Sequence, residues 1–109
     1  MQQITIIGHL GKDAIIKKNN GSEFLVFNVC VTEIYKKESG EKVESSTWYS
    51  CINKKTNLAQ HLNKGDKVLV QGELRAKTYQ NDRRETQIDL SVQISRIQLL
   101  SSKSNSGNE

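Results

Sequence analysis

From Thr86 to Ser95 the chain alternates without a break, Thr86, Ile88, Leu90, Val92 and Ile94 against Gln87, Asp89, Ser91, Gln93 and Ser95. A period of two sends the two sets to opposite faces of an extended strand. The stretch therefore reads as a half-buried antiparallel strand, finished by Ile97, Leu99 and Leu100. The same period recurs along the chain. Leu25, Phe27, Val29 and Val31 alternate with Phe24, Val26, Asn28, Cys30 and Thr32, both sets partly apolar, as in a strand that crosses a barrel. Val68, Val70, Leu74 and Ala76 point one way and Arg75, Lys77 and Tyr79 the other, with Gly72 as a bend. Ile4, Ile6 and Ile7 open a short strand. Gly8 and Gly11 around His9-Leu10 permit a bulge or sharp bend before residues 14–18 extend again. Residues 48–52 form another strand.

Residues 57–63 depart from this pattern. Leu58 and Leu62 are four apart with Ala59 beside them, one apolar stripe, and Gly65 suits a left-handed stop. The spacing predicts one short helix with His61 on its exposed side. Turn residues mark Asn19-Asn20-Gly21-Ser22, the Ser39-Gly40 tip of a long charged hairpin over residues 33–43, and Gln80-Asn81-Asp82-Arg83. The order is strand, strand, strand, helix, strand, strand. An all-β, five-stranded Greek-key barrel of the OB type, with one short helix between strands 3 and 4, is the simplest closure. Residues 1–100 form this domain. Residues 101–109, rich in Ser, Asn and Gly, are expected to be a disordered tail.

Hydrophobic residues make up 35% of the chain, enough for one modest core. The net charge of +4 favours an anionic partner, and Lys103 and Glu109 are the only charges after Ser101, so the excess belongs to the barrel. No apolar run approaches the roughly 20 residues of a membrane span. The N-terminus has no secretory pattern, so a cytoplasmic location is expected. Cys30 and Cys51 both lie in apolar strand patterns, which predicts buried free thiols; a disulfide requires their strands to be neighbours. With no Cys-x-x-Cys and two histidines, a metal site has little to be built from, and no cofactor is expected. No carboxylate cluster or histidine pair gathers near Trp48 or Tyr79, which argues against a hydrolase or any other enzyme.

What the chain offers instead is rings beside fixed cations. Tyr79 shares a strand face with Arg75 and Lys77. Trp48, the single tryptophan, shares one with Ser50, Ile52 and Lys54, with Tyr49 and Cys51 opposite. Tyr35 and Lys36 lie on the charged hairpin. Every base has a π-face, so such rings bind without reading sequence, and lysines and arginines neutralise phosphates. The plain alternatives are that Trp48, Tyr35 and Tyr79 belong to the core, and that Lys36-Lys37 and Lys54-Lys55 are only solvated.

Four stretches then resemble the bacterial single-stranded DNA-binding protein family, in order and with family-like spacing, across nearly all of residues 3–100. They are residues 4–13 (ITIIGHLGKD), Thr47-Trp48-Tyr49, residues 62–68 (LNKGDKV) and residues 70–75 (VQGELR). The resemblance implies an OB fold, a homo-oligomer that is usually a tetramer, and non-specific binding of single-stranded DNA in replication, recombination or repair. By the same resemblance Trp48 matches a base-stacking tryptophan, and Tyr35 and Tyr79 stand where the family often has other stacking rings. Arg75, Lys77 and Lys64 match backbone-contacting cations, and Lys17 falls near another. Three positions depart from the family. Lys54 replaces a stacking phenylalanine, and Tyr49 stands where some members have a histidine at a subunit contact. Ser106-Gly107-Asn108-Glu109 stands in place of the long tail with an acidic tip that recruits replication and repair proteins, so a short form without that tip is expected. The alternative readings are an RNA-binding OB domain and a non-catalytic interaction module.

Overall fold

The computed structural model describes residues 1–101; residues 102–109, all of the expected disordered tail but Ser101, lie outside the described residues, and Ser101 itself ends the last strand. Six strands carry the fold: β1 (Gln3–Leu10), β2 (Ile15–Asn19), β3 (Ser22–Lys36), β4 (Lys42–Asn53), β5 (Lys67–Gln80) and β6 (Thr86–Ser101). Their order in the sheet is β1-β5-β6-β4-β3-β2, and a further pairing of β1 with β3 closes it into a barrel. All pairings are antiparallel except β4 with β6, which run parallel over Ser50–Ile52.

The extra strand comes from a bend. β1 pairs with β5 from Gln3 to His9, then meets β3 at His9↔Cys30 and Leu10↔Val29, and β2 continues along the same edge of β3 from Ile15↔Val26. β1 and β2 are thus two halves of the one bent first strand of a five-stranded barrel. Gly8 makes the crossing possible, because a Cβ there would lie 2.3 Å from the Cys30 carbonyl oxygen. With no side chain, the two backbones can approach.

The inward set of the alternation is the core: Ile6, Leu10, Leu25, Phe27, Val29, Cys51, Val68, Val70 and Val92, with Leu62 from the connection after β4. Each fully buried Val or Leu contributes about 1.5–3 kcal/mol of hydrophobic stabilisation. The expected helix over residues 57–63 is reduced to one 3-10 turn, Ala59–His61. The segment is too short to hold a helix without a cap, and no side chain caps this one. Leu62 instead turns extended, with φ −110° and ψ 101°, and drops into the core, while Leu58 and Ala59 pack against it. Gly65 has the expected positive φ of 89°, but it serves the turn that returns the chain to β1 through Gly65 N–H donating to Leu10 O at 2.8 Å.

Two hairpins outrun the barrel. From Val31 outward β3 pairs with β4 alone, and beyond Leu74 β5 pairs with β6 alone. Ile88, expected on a half-buried face, is 66% exposed because no sheet lies behind that part of the ribbon. The cysteines also divide. Both are free and their strands are neighbours, but Cys51 is buried among the core residues, whereas Cys30 lies half-exposed on the outward set, correcting the expectation that both are buried.

Candidate nucleic-acid interface

Register decides which side chains share a surface. On β4, Trp48, Ser50 and Ile52 stand in register with Cys30, Asn28 and Val26 of β3. Across the parallel seam Ser50 meets Ser91, and Ile52 meets Gln93. On the far side of β6, Arg75 pairs with Ser91, Lys77 with Asp89 and Tyr79 with Gln87. Paired residues point to the same face of a sheet, so Trp48, Arg75, Lys77 and Tyr79 all project from one outer surface that spans β3, β4, β6 and β5. Between the rings the floor is made of small polar groups held down by hydrogen bonds. Ser50 Oγ donates to Asn28 Oδ1 at 3.4 Å, and Ser91 Oγ donates to the Arg75 carbonyl at 3.5 Å.

The alternative of a core tryptophan does not hold, since Trp48 is 55% exposed. The Cη2–Cζ3 edge of its ring lies against Gly11, where a Cβ would come within 2.6 Å of both atoms. Gly11 therefore lets the outer edge of the indole abut the bend between β1 and β2. Nothing in the sequence spacing pairs Gly11 with Trp48, so this positioning residue was read only as part of a bend. Tyr79 is 54% exposed on the β5–β6 ribbon and is likewise no core residue. Arg75 Nε lies 3.8 Å from Glu73 Oε1, an exposed pair that contributes little and leaves the guanidinium free to exchange partners.

Tyr35 is placed differently from the expectation. The β3–β4 register runs unbroken from Leu25↔Asn53 to Lys36↔Lys42, so Tyr35 belongs to the set of Phe27 and Val29 and projects from the opposite face of the ribbon to Trp48. Ile34 holds the place on the Trp48 face and is 68% exposed. Lys36 is on that face too, at the end of the ribbon.

The remaining lysines fall into two places. Lys64 sits in the loop before β5, where its backbone N–H donates to Asp13 Oδ1 at 2.7 Å and ties the loop to the bend that carries the Trp48 ring. Buried Asp66 shapes this loop by accepting from Asn63 N–H at 2.9 Å. Lys17 pairs with Phe24 across β2 and β3, and Lys54 follows the last β3–β4 pair, so both reach the start of β3, at the far end of the outer surface from Lys36. Burial pushes the Cys51 thiol up to about 12, which keeps it neutral. Among the described residues, no three His, Cys, Asp or Glu side chains gather where they would hold a metal ion. No helix among them is long and apolar enough to cross a membrane.

A closed Greek-key barrel with two long hairpin arms defines an OB-fold protein, and solved structures agree on the fold. The small single-stranded DNA-binding protein of Streptomyces coelicolor superposes with a TM-score of 0.73 at 18% identity, over 89% of this chain and 92% of that one. The Plasmodium falciparum SSB, solved in complex with ssDNA, gives 0.73 at 22% identity over 93% and 96%. The sequence matches the single-strand binding protein family over residues 1–100, and the chain belongs to that family. Among curated relatives, the single-stranded DNA-binding protein of Neisseria meningitidis is 29% identical over 84 residues, 73% of this chain and 48% of the relative. Single-stranded DNA-binding protein A of Bacillus subtilis is 25% identical over 111 residues, 98% of this chain and 63% of the relative. The chain thus spans between about half and under two thirds of the length of these relatives.

Proposed function

We propose that the chain binds single-stranded DNA without reading its sequence, as a non-catalytic protein of replication, recombination or repair. The observation that carries this reading is the register that gathers Trp48, Arg75, Lys77 and Tyr79 on one outer surface. Exposed rings stack unpaired bases, and in single-strand binders each stacked base is worth about 1–3 kcal/mol. Arg75, Lys77, Lys64 and Lys36 lie where they would neutralise the phosphates between those bases, with release of counterions. Duplex bases are already stacked on one another and offer no free face. Family membership and the names of the relatives support the same reading.

A homotetramer in the cytoplasm completes the proposal. The edge of β1 from Gln3 to Ile7 is paired on one side only, and Ile7 is exposed there, which leaves a strand edge and apolar surface for a second copy.

Titration of the protein with oligo-dT, followed by Trp48 fluorescence, tests the function. Quenching that saturates, weakens with added salt and is absent with duplex DNA is the expected result. Unchanged emission at saturating strand would remove Trp48 from the interface. Equal or tighter binding of an RNA of the same length would point to RNA as the ligand. Solution mass with and without the oligomer reads the subunit number.

A further inference from the structure

Lys54 leaves the far end of β4 without a ring, but the neighbouring strand supplies one. β2 and β3 are joined through Asn20 and Gly21, whose φ angles of 51° and 81° are both positive, as a two-residue hairpin turn requires. That turn sets Asn19↔Ser22 and, two steps on, Lys17↔Phe24. Phe24 belongs to the same outward set as Val26, Asn28 and Cys30, and so to the surface that carries Trp48. Beyond Leu25↔Asn53 the β3–β4 ladder ends, and Lys54 and Lys55 leave the sheet beside Phe24.

The strands part here around a cleft of about 790 Å³. Its apolar walls are Phe24, Ile52 and Ile94, its polar floor includes Gln93, and Lys54 and Lys55 stand at its rim. The volume lies within the range of about 300–1,000 Å³ typical of ligand clefts. Glu23 also lines the cleft, its carboxylate 3.6 Å from the exposed Lys18 Nζ, so the lining carries two cations, Lys54 and Lys55, against one partly offset carboxylate, and Lys17 adds a third cation opposite Phe24 across β2. An apolar slot with a half-buried ring, the amides of Asn53 and Gln93, two lining lysines and a third beside it fits a planar group that carries an anion. The six residue steps from Trp48 to Lys54 span about 20 Å, so a single extended strand of nucleic acid reaches both places.

We propose that this cleft is a nucleobase subsite at the end of the single-strand track. Phe24 stacks the base, and Lys17, Lys54 and Lys55 hold the phosphates on either side. Lys54 then serves as a phosphate contact to a platform that has moved one strand over. The inference rests on the DNA-binding reading above, and the test separates the two.

Phe24→Leu keeps the apolar wall and removes the π-face. With a long oligo-dT the variant is expected to bind about 5-fold or more weakly, the lower part of the range for one lost stack, with an unchanged salt slope. Lys54→Ala is expected to lower the salt slope by about 0.7, one phosphate contact. A short oligo-dT that covers only the Trp48–Tyr79 region is expected to bind both variants as it binds the wild type. Ultraviolet crosslinking of 5-iodo-dU-substituted oligo-dT provides a readout on the wild-type protein, and a crosslinked peptide containing Phe24 is expected. Quenching of Trp48 with no crosslink at Phe24 and unaltered long-strand affinity in Lys54→Ala would overturn the cleft while leaving the general function intact. Absence of Trp48 quenching in the wild type would overturn both. Should Phe24→Leu fail to fold, the crosslink and Lys54→Ala still decide.

Discussion

Adding one methyl group at Gly11 isolates what the seat beneath Trp48 contributes. In Gly11→Ala the new Cβ would lie 2.6 Å from Trp48 Cη2 and Cζ3, where ordinary contact begins at 3.4 Å, so the ring must retreat by 0.8 Å or tip away. It has room to do so, because 55% of Trp48 faces solvent. The backbone of β4 need not move, and the stability cost should stay near the low end of overpacking, about 1 kcal/mol. Binding is affected more. An indole displaced from Gly11 no longer holds its face in a fixed place for a base, and the loss should approach that of one stacked base, about 1–3 kcal/mol or 5- to 150-fold in affinity. No charge moves, so the salt slope should not change. A melting curve, a fluorescence titration and an anisotropy series over salt measure the three quantities on one preparation. Wild-type affinity and quenching in a folded Gly11→Ala protein would show that the glycine does not set the ring's position. A loss of several kcal/mol of stability would show that the backbone, not the ring, gives way.

Further outcomes follow from the same geometry. Tyr79→Ala should cost about 1–3 kcal/mol of affinity at constant salt slope, whereas Arg75→Ala or Lys77→Ala should each flatten the slope by about 0.7; a plot of log affinity against log salt separates them. Tyr35→Ala should leave binding near wild type, while Ile34→Trp should strengthen it by up to the value of one stack, about 1–3 kcal/mol; the reverse pattern in a titration would put the face assignment of the β3–β4 ribbon wrong by one residue. Gly8→Ala meets the Cys30 carbonyl at 2.3 Å, backbone that cannot swing aside, and the Cγ1 of buried Val29 at 2.8 Å, and should unfold the barrel in a denaturant titration rather than merely weaken binding. At pH 8 Cys30 should react with a thiol reagent and be protected by oligo-dT, while Cys51 should stay unreacted. Because burial lifts Cys51 from 9.0 to about 12, its thiol favours the folded state fully below pH 9, and that contribution is lost as pH rises from 9 towards 12; melting curves of Cys51→Ala should fall less steeply over that window.

The barrel was legible because most of its strands alternate. The period of two assigned Val68, Val70 and Val92 to the core and Trp48, Arg75, Lys77 and Tyr79 to the outside, and the structure keeps those faces. What alternation does not contain is how one strand lies against the next. Tyr35 was legible only as part of a charged hairpin until the register across the Ser39-Gly40 turn set its face, and Phe24 joined Lys17 and Lys54 only through the hairpin at Asn20-Gly21. That second register was available from the turn residues, since a two-residue loop leaves one way to pair. Nor does alternation say where the core ends. Ile88 continues the pattern of Val92 and Leu90 into a ribbon with nothing behind it. The helix failed for the opposite reason, because Leu58 and Leu62 satisfy the core from an irregular loop as well as from a helical stripe.

The place where β1 leaves β5 for β3 is also the place where Trp48 rests. His9 and Leu10 pair with β3, Leu10 N–H donates to Asp66 O, Gly11 N–H donates to Asn28 O, and the edge of the indole abuts Gly11. The seam that closes the barrel thus abuts the edge of a ligand-facing ring. Under the proposed function, a base stacked on Trp48 fixes the ring whose edge bears on the seam, so occupancy and closure become thermodynamically linked. The protein would then be hardest to open while it covers DNA, and its weakest seam would be exposed to proteases and solvent exchange once the strand has gone.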